Sequence, residues 1–334
     1  MNQTDLLLLS EEFCNLLKLL KNKSIFITGG TGFFGKNLLK SFIYLNNQMN
    51  LNTRITVLSR EGIRFKNSNP EFISDGLVEF ISGDVRNFPF PRRNFNYILH
   101  AATPANNKLE VEKPEEMKSI IVDGTKRVVD FANKCGAQKL LLTSSGTVYG
   151  IQPPDLKYIS ENYDPAPSTV YSKGKLEAER ICMEGFKNIV IARCFTFVGP
   201  YIPIDRHFAI GNFIRDGING NPIVVQSDGR PFRAYLHSVE LVIWLLTMLL
   251  KGVNCRAYNI GSELEISFRD LAYMVSDYLG GKSSVDILGK PDFNLPAPRY
   301  VPSTARARDE LGLTQKLTLK ESLYDTIDWY KMRH

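Results

Sequence analysis

The chain has 334 residues, of which 43% are hydrophobic and 23% are charged, and its formal net charge is +6. This length supports one large domain or two modest ones with a hydrophobic core, and the composition is that of a globular protein. The longest apolar run, 241–250, is far too short to span a membrane. The mild positive charge suits a small anionic ligand. The sequence lacks the stripe of basic residues with interleaved aromatic residues that is typical of nucleic-acid binding proteins.

The pattern of the N-terminal segment, residues 1–23, predicts a short amphipathic helix that packs on the domain or on a neighbouring subunit, in preference to a membrane anchor. Its apolar stripe consists of Phe13, Leu16, Leu17, Leu19 and Leu20. Acidic residues flank its "LLLL" run and no small-residue cleavage site follows, which argues against a signal peptide. The five cysteines are scattered without a CxxC pair, as is typical of free thiols in a reducing compartment. We therefore expect a cytoplasmic protein with no metal site.

Short apolar runs alternate with helical patterns along the first part of the chain. Several of these runs are continuously apolar, as expected when helices cover both faces of a parallel sheet. The predicted strands are 24–28, 54–59, 77–82, 96–102, 139–145 and 188–194. The predicted helices among them include 34–45, 115–134 and 172–186. This alternation predicts an α/β fold with a doubly wound parallel sheet.

Beyond about residue 195 the pattern changes, because Gly and Pro become frequent. Loops separate the predicted helices 240–251, 268–279 and 319–331. We therefore expect a first domain over 24–195 and a smaller mixed domain over 196–334, with segments of the second returning to the first.

The sequence "TGGTGFFG" directly follows the first strand and opens a helix. Gly29, Gly32 and Gly35 recur in a GxxGxxG spacing, and glycine lets the backbone take positive φ and lets a pyrophosphate approach closely. The helix N-terminus adds free N–H groups and a positive dipole end. In this strand-turn-helix setting the pattern predicts a dinucleotide site, which includes Phe33 and Phe34.

The ends of the following strands are expected to complete this site. The second strand ends in Ser59 and Arg60, where an acidic residue would favour NAD. A hydroxyl and a guanidinium suit a 2′-phosphate, so we expect a preference for NADP(H), with NAD(H) possible. The other expected contacts, at the ends of the third and fourth strands, are Asp84, Val85, Ala101, Ala102 and Thr103.

The sequence "YSKGK" places Tyr171 and Lys175 four residues apart, on one face of a predicted helix. An ammonium beside a phenol stabilises the phenolate, so the tyrosine can exchange protons with a substrate hydroxyl near neutral pH. Upstream, Ser145 ends the fifth strand, where its hydroxyl can hold a substrate oxygen. These three residues therefore predict a proton-exchanging catalytic site.

Taken together, the chain resembles an extended short-chain dehydrogenase/reductase of the nucleotide-sugar epimerase/dehydratase family. The resemblance covers roughly residues 24–330. It rests on "TGGTGFFG", "GDV", "HAA", "VDGT", "TSSGTVYG", "YSKGK", "RCFTFVGP", "GRPFRAYLHSVEL" and "ARARDELGL". It implies a Rossmann dinucleotide-binding domain and a C-terminal domain that binds a nucleotide-diphosphate sugar. It also implies a homodimer through the helices around 115–134 and 172–186.

The resemblance also implies roles for the catalytic residues. Tyr171 exchanges a proton with a sugar hydroxyl, usually at C4, while hydride passes to or from the nicotinamide. Ser145 holds the sugar oxygen, and Lys175 fixes the cofactor ribose and tunes Tyr171. Arg233, in "PFRAYL", matches the diphosphate-binding arginine of the family. The other implied substrate contacts are Thr196, Asn212, Phe213 and Arg299. The histidines His100, His207 and His237 and the thiol of Cys194 are expected to be structural more often than catalytic.

Departures from the family pattern bear on the reaction. The dehydratase branch carries an Asp-Glu pair before "VYG", and the decarboxylase branch typically carries a Glu at the second of these positions. This chain has Gly146 and Thr147 there, while Ile121 and Thr196 replace two family asparagines. The resemblance therefore favours a 4-epimerase or a 4-keto reductase, with Thr147 in the catalytic set. Its expected setting is cell-surface carbohydrate synthesis, such as lipopolysaccharide or O-antigen.

Other readings stay open on the sequence. A sugar 4,6-dehydratase or a decarboxylase with atypical acid/base residues is one alternative. A non-catalytic NADP-binding sensor is another, although such relatives generally lose the Tyr-Lys pair. A small-ketone reductase is a third, against which the "GRPFRAYL" diphosphate signature argues.

Overall fold

The computed structural model describes residues 9–73, 76–104, 107–205 and 208–333. Its strands are β1 (Ser24–Thr28), β2 (Arg54–Ser59), β3 (Val78–Ser82), β4 (Tyr97–His100), β5 (Lys139–Ser145), β6 (Ile189–Cys194), β7 (Thr196–Val198), β8 (Ile223–Val225), β9 (Phe232–His237), β10 (Arg256–Ile260), β11 (Glu265–Ser267), β12 (Val285–Ile287) and β13 (Arg299–Tyr300).

The helices lie between these strands and at both ends of the described chain. They are α1 (Glu11–Leu17), α2 (Phe33–Met49), α3 (Gly62–Ser68), α4 (Asn107–Glu112), α5 (Pro114–Lys134), α6 (Val170–Gly185), α7 (Ala209–Ile218), α8 (Ser238–Lys251), α9 (Phe268–Tyr278), α10 (Ala305–Leu311) and α11 (Leu319–Lys331). Among the described residues, no helix combines the length and the apolar character needed to cross a bilayer.

The central sheet has the strand order β10-β6-β5-β4-β1-β2-β3. Strand β1 lies between β2 and β4 and runs parallel to both. The chain therefore winds outward in one direction from β1 and in the other from β4, which creates a crevice at the carboxyl ends of these two strands. The predicted α/β fold with a doubly wound parallel sheet is confirmed.

Aromatic packing forms much of the core between this sheet and α5. The ring of Phe26, on β1, has its centroid 4.8 Å from that of Phe131 on α5 and 5.2 Å from that of Phe95. All three side chains are buried. Edge-to-face contacts of this kind add to the free energy of burial, so they fix α5 firmly against the sheet.

The chain divides into two compact units. The first comprises Met1–Val148, Pro167–Arg193 and Val242–Tyr258, and the second comprises Tyr149–Ala166, Cys194–Leu241 and Asn259–His334. Segment 149–166 therefore differs from the expectation that placed it in the first domain. The reason is hydrogen bonding, since the Tyr149 hydroxyl donates to Asn259 Oδ1 and Gln152 Oε1 accepts from the Val301 N–H, both at 2.8 Å.

The second unit is built around β9. Strands β7 and β13 pair with it in parallel, and β11 pairs with it antiparallel. Strands β8 and β12 form a separate parallel pair. This arrangement places Arg233 beside Tyr300 in the register of β9 and β13.

The N-terminal helix is shorter than the predicted apolar stripe. Residues 1–8 lie outside the described ranges, and α1 continues into a 3₁₀ turn over Lys18–Leu20. Phe13, Leu16, Leu17 and Leu20 are buried as predicted, but Leu19 is 54% exposed. The tighter 3₁₀ geometry rotates Leu19 away from the apolar face, because side chains there repeat every three residues.

Candidate active site

The glycine turn brings β1 and the end of β4 into main-chain contact. Gly29 has φ +75°, and a Cβ at this position would lie 2.6 Å from the carbonyl carbon of Ala101. A Cβ on Gly35 would lie 2.2 Å from the Cα of Gly30. Gly32 differs, since its φ is −82° and a Cβ there would meet nothing closer than 3.5 Å. The first and third glycines are therefore required by packing, and Gly32 leaves space at the start of α2.

A cavity of about 210 Å³ opens beside this turn. It brings together nine of the residues predicted to bind a dinucleotide: Gly29, Gly32, Ser59, Arg60, Asp84, Val85, Ala101, Ala102 and Thr103. Its walls also include Thr31, Leu58, Gly83, Pro104 and Ile120, which sequence reasoning missed. Thr31 was detectable, because it stands inside the glycine turn. The predicted contacts Phe33, Phe34 and Gly35 form the first turn of α2 and are not among the wall residues.

The end of this cavity beside β2 and β3 carries hydroxyl and charged groups. The hydroxyls of Thr31 and Ser59 lie 3.2 Å apart, and Arg60 is exposed at the mouth. Asp84 accepts from Arg86 Nε at 2.9 Å and from Arg86 Nη2 at 2.7 Å. These hydrogen bonds hold the pKa of Asp84 below its ordinary value. The wall therefore presents a fixed, ionised carboxylate to any ligand.

This cradle fits a dinucleotide. The N-terminus of α2 has Gly32 at the N-cap, and no side chain of the described residues caps it. The positive end of the helix dipole at this N-terminus favours a negatively charged ligand such as a phosphate group. The absent Cβ at Gly32 allows the close approach that a pyrophosphate needs.

Helix α6 carries Tyr171 and Lys175 in its first two turns. Thr169 caps the helix and forms a capping box with Ser172, while Glu110 Oε1 accepts from the Tyr171 N–H at 2.8 Å. Lys175 is only 3% exposed. Its Nζ donates to the Thr143 carbonyl at 2.8 Å and to the Thr103 hydroxyl, and lies 5.9 Å from the centre of the Tyr171 ring.

Ser145 ends β5 and is 7% exposed. Its Oγ accepts from the Thr147 hydroxyl at 2.9 Å and from the Thr147 N–H at 3.2 Å. Because both contacts use the oxygen as acceptor, the Ser145 proton is left to donate to another oxygen. The structure thus brings together Ser145 with Thr147, and Tyr171 with Lys175, in the first unit.

His100 lies under the same strand ends and is fully engaged. Its Nδ1 lies 2.7 Å from the Thr28 hydroxyl, and its Nε2 lies 3.1 Å from the Thr125 hydroxyl. Thr125 donates its own proton to the Ile121 carbonyl, which leaves Nε2 as the donor and Nδ1 as the acceptor. Burial, with a contribution from Lys175, lowers the pKa of His100 to about 3. His100 is therefore a neutral structural group. The strand also ends here, two residues before the predicted end.

In the second unit, Arg233 lies among aromatic rings. Its guanidinium carbon is 5.2 Å from the centre of the Phe268 ring and 5.7 Å from that of Tyr300, and its Nη1 donates to the Phe232 carbonyl at 2.8 Å. Burial lowers the pKa of this guanidinium. No carboxylate of the described ranges forms an ion pair with it. A half-buried cation in this position fits an anionic ligand.

The other predicted substrate contacts are differently placed. Arg299 is ion-paired with Glu265 and stacks on the Phe232 ring at 4.6 Å, so its charge is already compensated. Phe213 is 2% exposed and packs on Phe268 at 6.4 Å, which favours support of the ring beside Arg233 over direct ligand contact.

Four further residues singled out in the sequence have hydrogen bonds within the protein or are buried in it. They are Thr196, Asn212, His237 and Cys194. Thr196 donates to the Ala234 carbonyl at 2.5 Å, and Asn212 Oδ1 accepts from Arg215 Nη1 at 3.2 Å. His237 is fully buried with its Nε2 3.1 Å from Asp325 Oδ2. Cys194 is buried, and His207 lies outside the described residues.

Comparison with known proteins identifies the protein family. The family model described as "NAD dependent epimerase/dehydratase family" matches residues 25–261. UDP-glucuronic acid decarboxylase 6 of Arabidopsis thaliana is 29% identical, covering 90% of this chain and 87% of its own.

Two solved structures share the fold. The epimerase Mth375 of Methanothermobacter thermautotrophicus superposes with a TM-score of 0.82 at 23% identity, covering 97% of this chain and 96% of its own. The dTDP-glucose 4,6-dehydratase DesIV of Streptomyces venezuelae, solved with NAD bound, gives a TM-score of 0.80 at 22% identity, covering 92% and 97%.

The burial of His100 predicts a specific acid sensitivity. Between its unfolded pKa of about 6.5 and its folded value, the unfolded chain takes up a proton that the folded chain does not. The stability that the neutral imidazole contributes is thus complete above pH 6.5 and falls as the pH approaches 3. At pH 4.5 this should lower the free energy of unfolding by about 3 kcal/mol relative to pH 7.

Urea unfolding of the wild type and of His100→Gln at pH 7 and pH 4.5 measures this term. Other groups titrate in both proteins, so the variant should lose about 3 kcal/mol less between the two pH values. Equal losses in both proteins would show that His100 does not carry the acid sensitivity.

The glycine turn predicts two separable effects. Gly35→Ala forces a methyl group into the backbone of Gly30 and should lower the free energy of unfolding by more than about 2 kcal/mol. Gly32→Ala meets no backbone closer than 3.5 Å, so the fold should tolerate it. Its methyl group would stand in the cavity, and dinucleotide affinity should fall at least about tenfold, or 1.4 kcal/mol.

Thermal unfolding and fluorescence titration with reduced dinucleotide measure the two effects. If a well-folded Gly32→Ala protein bound the dinucleotide with wild-type affinity, the prediction that this cavity is the dinucleotide site would be wrong.

Proposed function

The chain belongs to the NAD dependent epimerase/dehydratase family, and we propose that it acts at C4 of the sugar of a nucleoside-diphosphate sugar, as a 4-epimerase or a 4-keto reductase. The observation that carries this proposal is the hydroxyl pair at the end of β5. Thr147 donates to Ser145, so the position beside the catalytic serine holds an alcohol instead of a carboxylic acid. An alcohol near neutral pH neither protonates a leaving hydroxyl nor removes a carbon-bound proton readily.

Three residues of the first unit have different roles in proton transfer at the C4 oxygen. Ser145, whose oxygen is occupied as an acceptor, donates its proton to the sugar oxygen and holds it. Tyr171 takes the proton from the C4 hydroxyl in oxidation and returns it in reduction. Lys175, held by Thr143 and Thr103, places a positive charge beside the phenol. The nicotinamide cofactor, when bound, supplies or accepts the hydride.

The cofactor is NAD(H) or NADP(H), and we propose a preference for NADP(H). DesIV, which shares the fold, was solved with NAD bound, and this supports NAD(H) as a possible cofactor. In this chain β2 ends in Ser59, beside Thr31, and is followed by the exposed Arg60. Two hydroxyls and a guanidinium recognise a 2′-phosphate better than a free ribose.

The second unit is assigned the nucleoside diphosphate. Arg233 supports this role through its half-buried cation between Phe268 and Tyr300. Arg299 would first have to exchange Glu265 for the ligand, which makes it the weaker candidate. A homodimer through α5 and α6 is part of the same proposal.

A second candidate reaction is decarboxylation of a nucleotide-linked uronic acid. It is favoured by the similarity to UDP-glucuronic acid decarboxylases over nine-tenths of this chain. The residue at position 147 argues against it, since the resemblance leads us to expect a Glu there in that branch. A dehydratase is disfavoured by the same reasoning at positions 146 and 147.

Incubation of the protein with NDP-sugars, NDP-4-keto sugars and UDP-glucuronic acid, followed by NMR of the products, tests the proposal. Interconversion of two isomers without net cofactor change identifies a 4-epimerase, and stoichiometric loss of NADPH identifies a 4-keto reductase. Tyr171→Phe should lower turnover by about 10²- to 10⁴-fold while the nucleotide still binds. Release of carbon dioxide or loss of water would replace the proposal with the corresponding alternative.

The cofactor preference has its own test. Fluorescence titration of wild type should show tighter binding of NADPH than of NADH. Arg60→Gln should weaken NADPH by about tenfold, which equals 1.4 kcal/mol, and leave NADH unchanged. Arg64→Gln is the matched control, because Arg64 is exposed and pairs with Glu61. Equal or tighter binding of NADH by the wild type would contradict the preference.

A further inference from the structure

Helix α6 carries a third ionisable residue in line with its two catalytic ones. Glu179 follows Tyr171 and Lys175 at the same four-residue spacing, and this places all three along one face. Glu179 is fully buried. A lysine and a glutamate four residues apart on a helix are well placed to pair with each other.

The carboxylate of Glu179 is instead held from the sheet. Its Oε2 accepts from Arg193 Nη2 at 2.7 Å, and its Oε1 accepts from Arg193 Nε at 3.0 Å and from the Ser144 hydroxyl. Arg193 lies on β6, and Ser144 lies on β5 next to Ser145. The arginine fork and the serine hydroxyl therefore fix both carboxylate oxygens on the side of the strands.

Lys175 is directed to neutral acceptors, the Thr143 carbonyl and the Thr103 hydroxyl. The other titratable groups around it carry no charge or lie at the helix end. His100 on β4 is neutral, and burial raises the pKa of the Cys182 thiol on α6 to about 12. Glu110 on α4 lies at the first turn, where it accepts from the Tyr171 N–H.

Helix α5 contributes apolar contacts to the same helix. Ile121 lies against Gly174, and Val129 lies against Gly185. Within the described part of the chain, the buried charged side chains on this part of α6 and its strand partner are Lys175, Glu179 and Arg193.

Stability is a poor explanation for this buried ion pair. Removing two charges from water is costly, and replacing such a pair by apolar residues is often neutral or stabilising. An electrostatic effect on the neighbouring residues explains it better. A buried carboxylate without its counter-ion, one turn from Lys175, would offset the field of the ammonium at Tyr171.

We propose that Arg193, assisted by Ser144, is a positioning residue that neutralises Glu179 and holds it toward the sheet, so that the carboxylate does not cancel the field of Lys175 at Tyr171. This inference rests on the proposed roles of Tyr171 and Lys175 as the proton-exchanging pair. Arg193 acts on them through Glu179, to which its Nε and Nη2 donate.

The test is a pH titration of the full-length protein labelled with ¹³Cζ-tyrosine, followed by NMR, with the Tyr171 signal assigned from Tyr171→Phe. In Arg193→Met the free carboxylate of Glu179 should raise the titration midpoint of Tyr171 by about half a pH unit or more. In Glu179→Gln the remaining Arg193 cation should lower the midpoint by a similar amount. The double variant should titrate close to the wild type.

The matched control is the exposed pair of Glu177 and Arg180 on the same helix, whose charged atoms are 3.6 Å apart. Glu177→Gln and Arg180→Met remove the same charges in solvent and should leave the Tyr171 midpoint unchanged. Shifts of Arg193→Met and Glu179→Gln in the same direction, or no shift, would overturn the proposal. Each single variant has its own required direction, so one folded variant is sufficient.

This titration needs neither cofactor nor substrate, which separates it from the test of the reaction. Opposite shifts together with inactivity toward every NDP-sugar would uphold the charge arrangement and overturn the proposed function. Activity at C4 without these shifts of the Tyr171 midpoint would uphold the proposed function and overturn the charge arrangement.

Discussion

The main-chain contact between Gly29 and Ala101 is the constraint on which the rest of the first unit depends. Only a residue without a Cβ, and with φ of +75°, lets the turn after β1 approach the end of β4 this closely. The contact brings the start of α2 over the carboxyl ends of β1 and β4, where the strand order reverses direction. The cavity lies at that edge because the two backbones approach each other so closely.

Lys175 connects this cavity to β5. Its ammonium binds the hydroxyl of Thr103, which lines the cavity, and the carbonyl of Thr143, two residues before Ser145. Because the lysine is buried, these hydrogen bonds hold α6 in a fixed register against both strand ends. One side chain thus links the cavity beside the glycine turn to the phenol of Tyr171 and the hydroxyl of Ser145, all of which belong to the same compact unit.

The sequence predicted the parts of the fold that depend on local pattern. Strands 24–28, 54–59 and 139–145 have the bounds expected from their continuously apolar runs, since burial on both faces leaves a clear signal. Strand β13 has only two residues, Arg299 and Tyr300, and its pairing with β9 leaves no periodicity to detect. The ion pair of Arg299 with Glu265 was likewise invisible, because it joins residues 34 positions apart. The partners of Glu179 were missed for the same reason.

The choice among reactions depends on different information from the choice of family. The family model matches residues 25–261, and the similarity to UDP-glucuronic acid decarboxylase 6 extends over 90% of the chain, so both establish the family and leave the reaction open. The reaction is decided by the groups that can move a further proton. The residue at position 147 is a threonine, whose hydroxyl donates a hydrogen bond to Ser145 Oγ. Under the function we propose, that hydroxyl would strengthen the hold of Ser145 on the C4 oxygen and would supply no second acid, and we therefore give the site geometry more weight for the reaction than the identity to the decarboxylases.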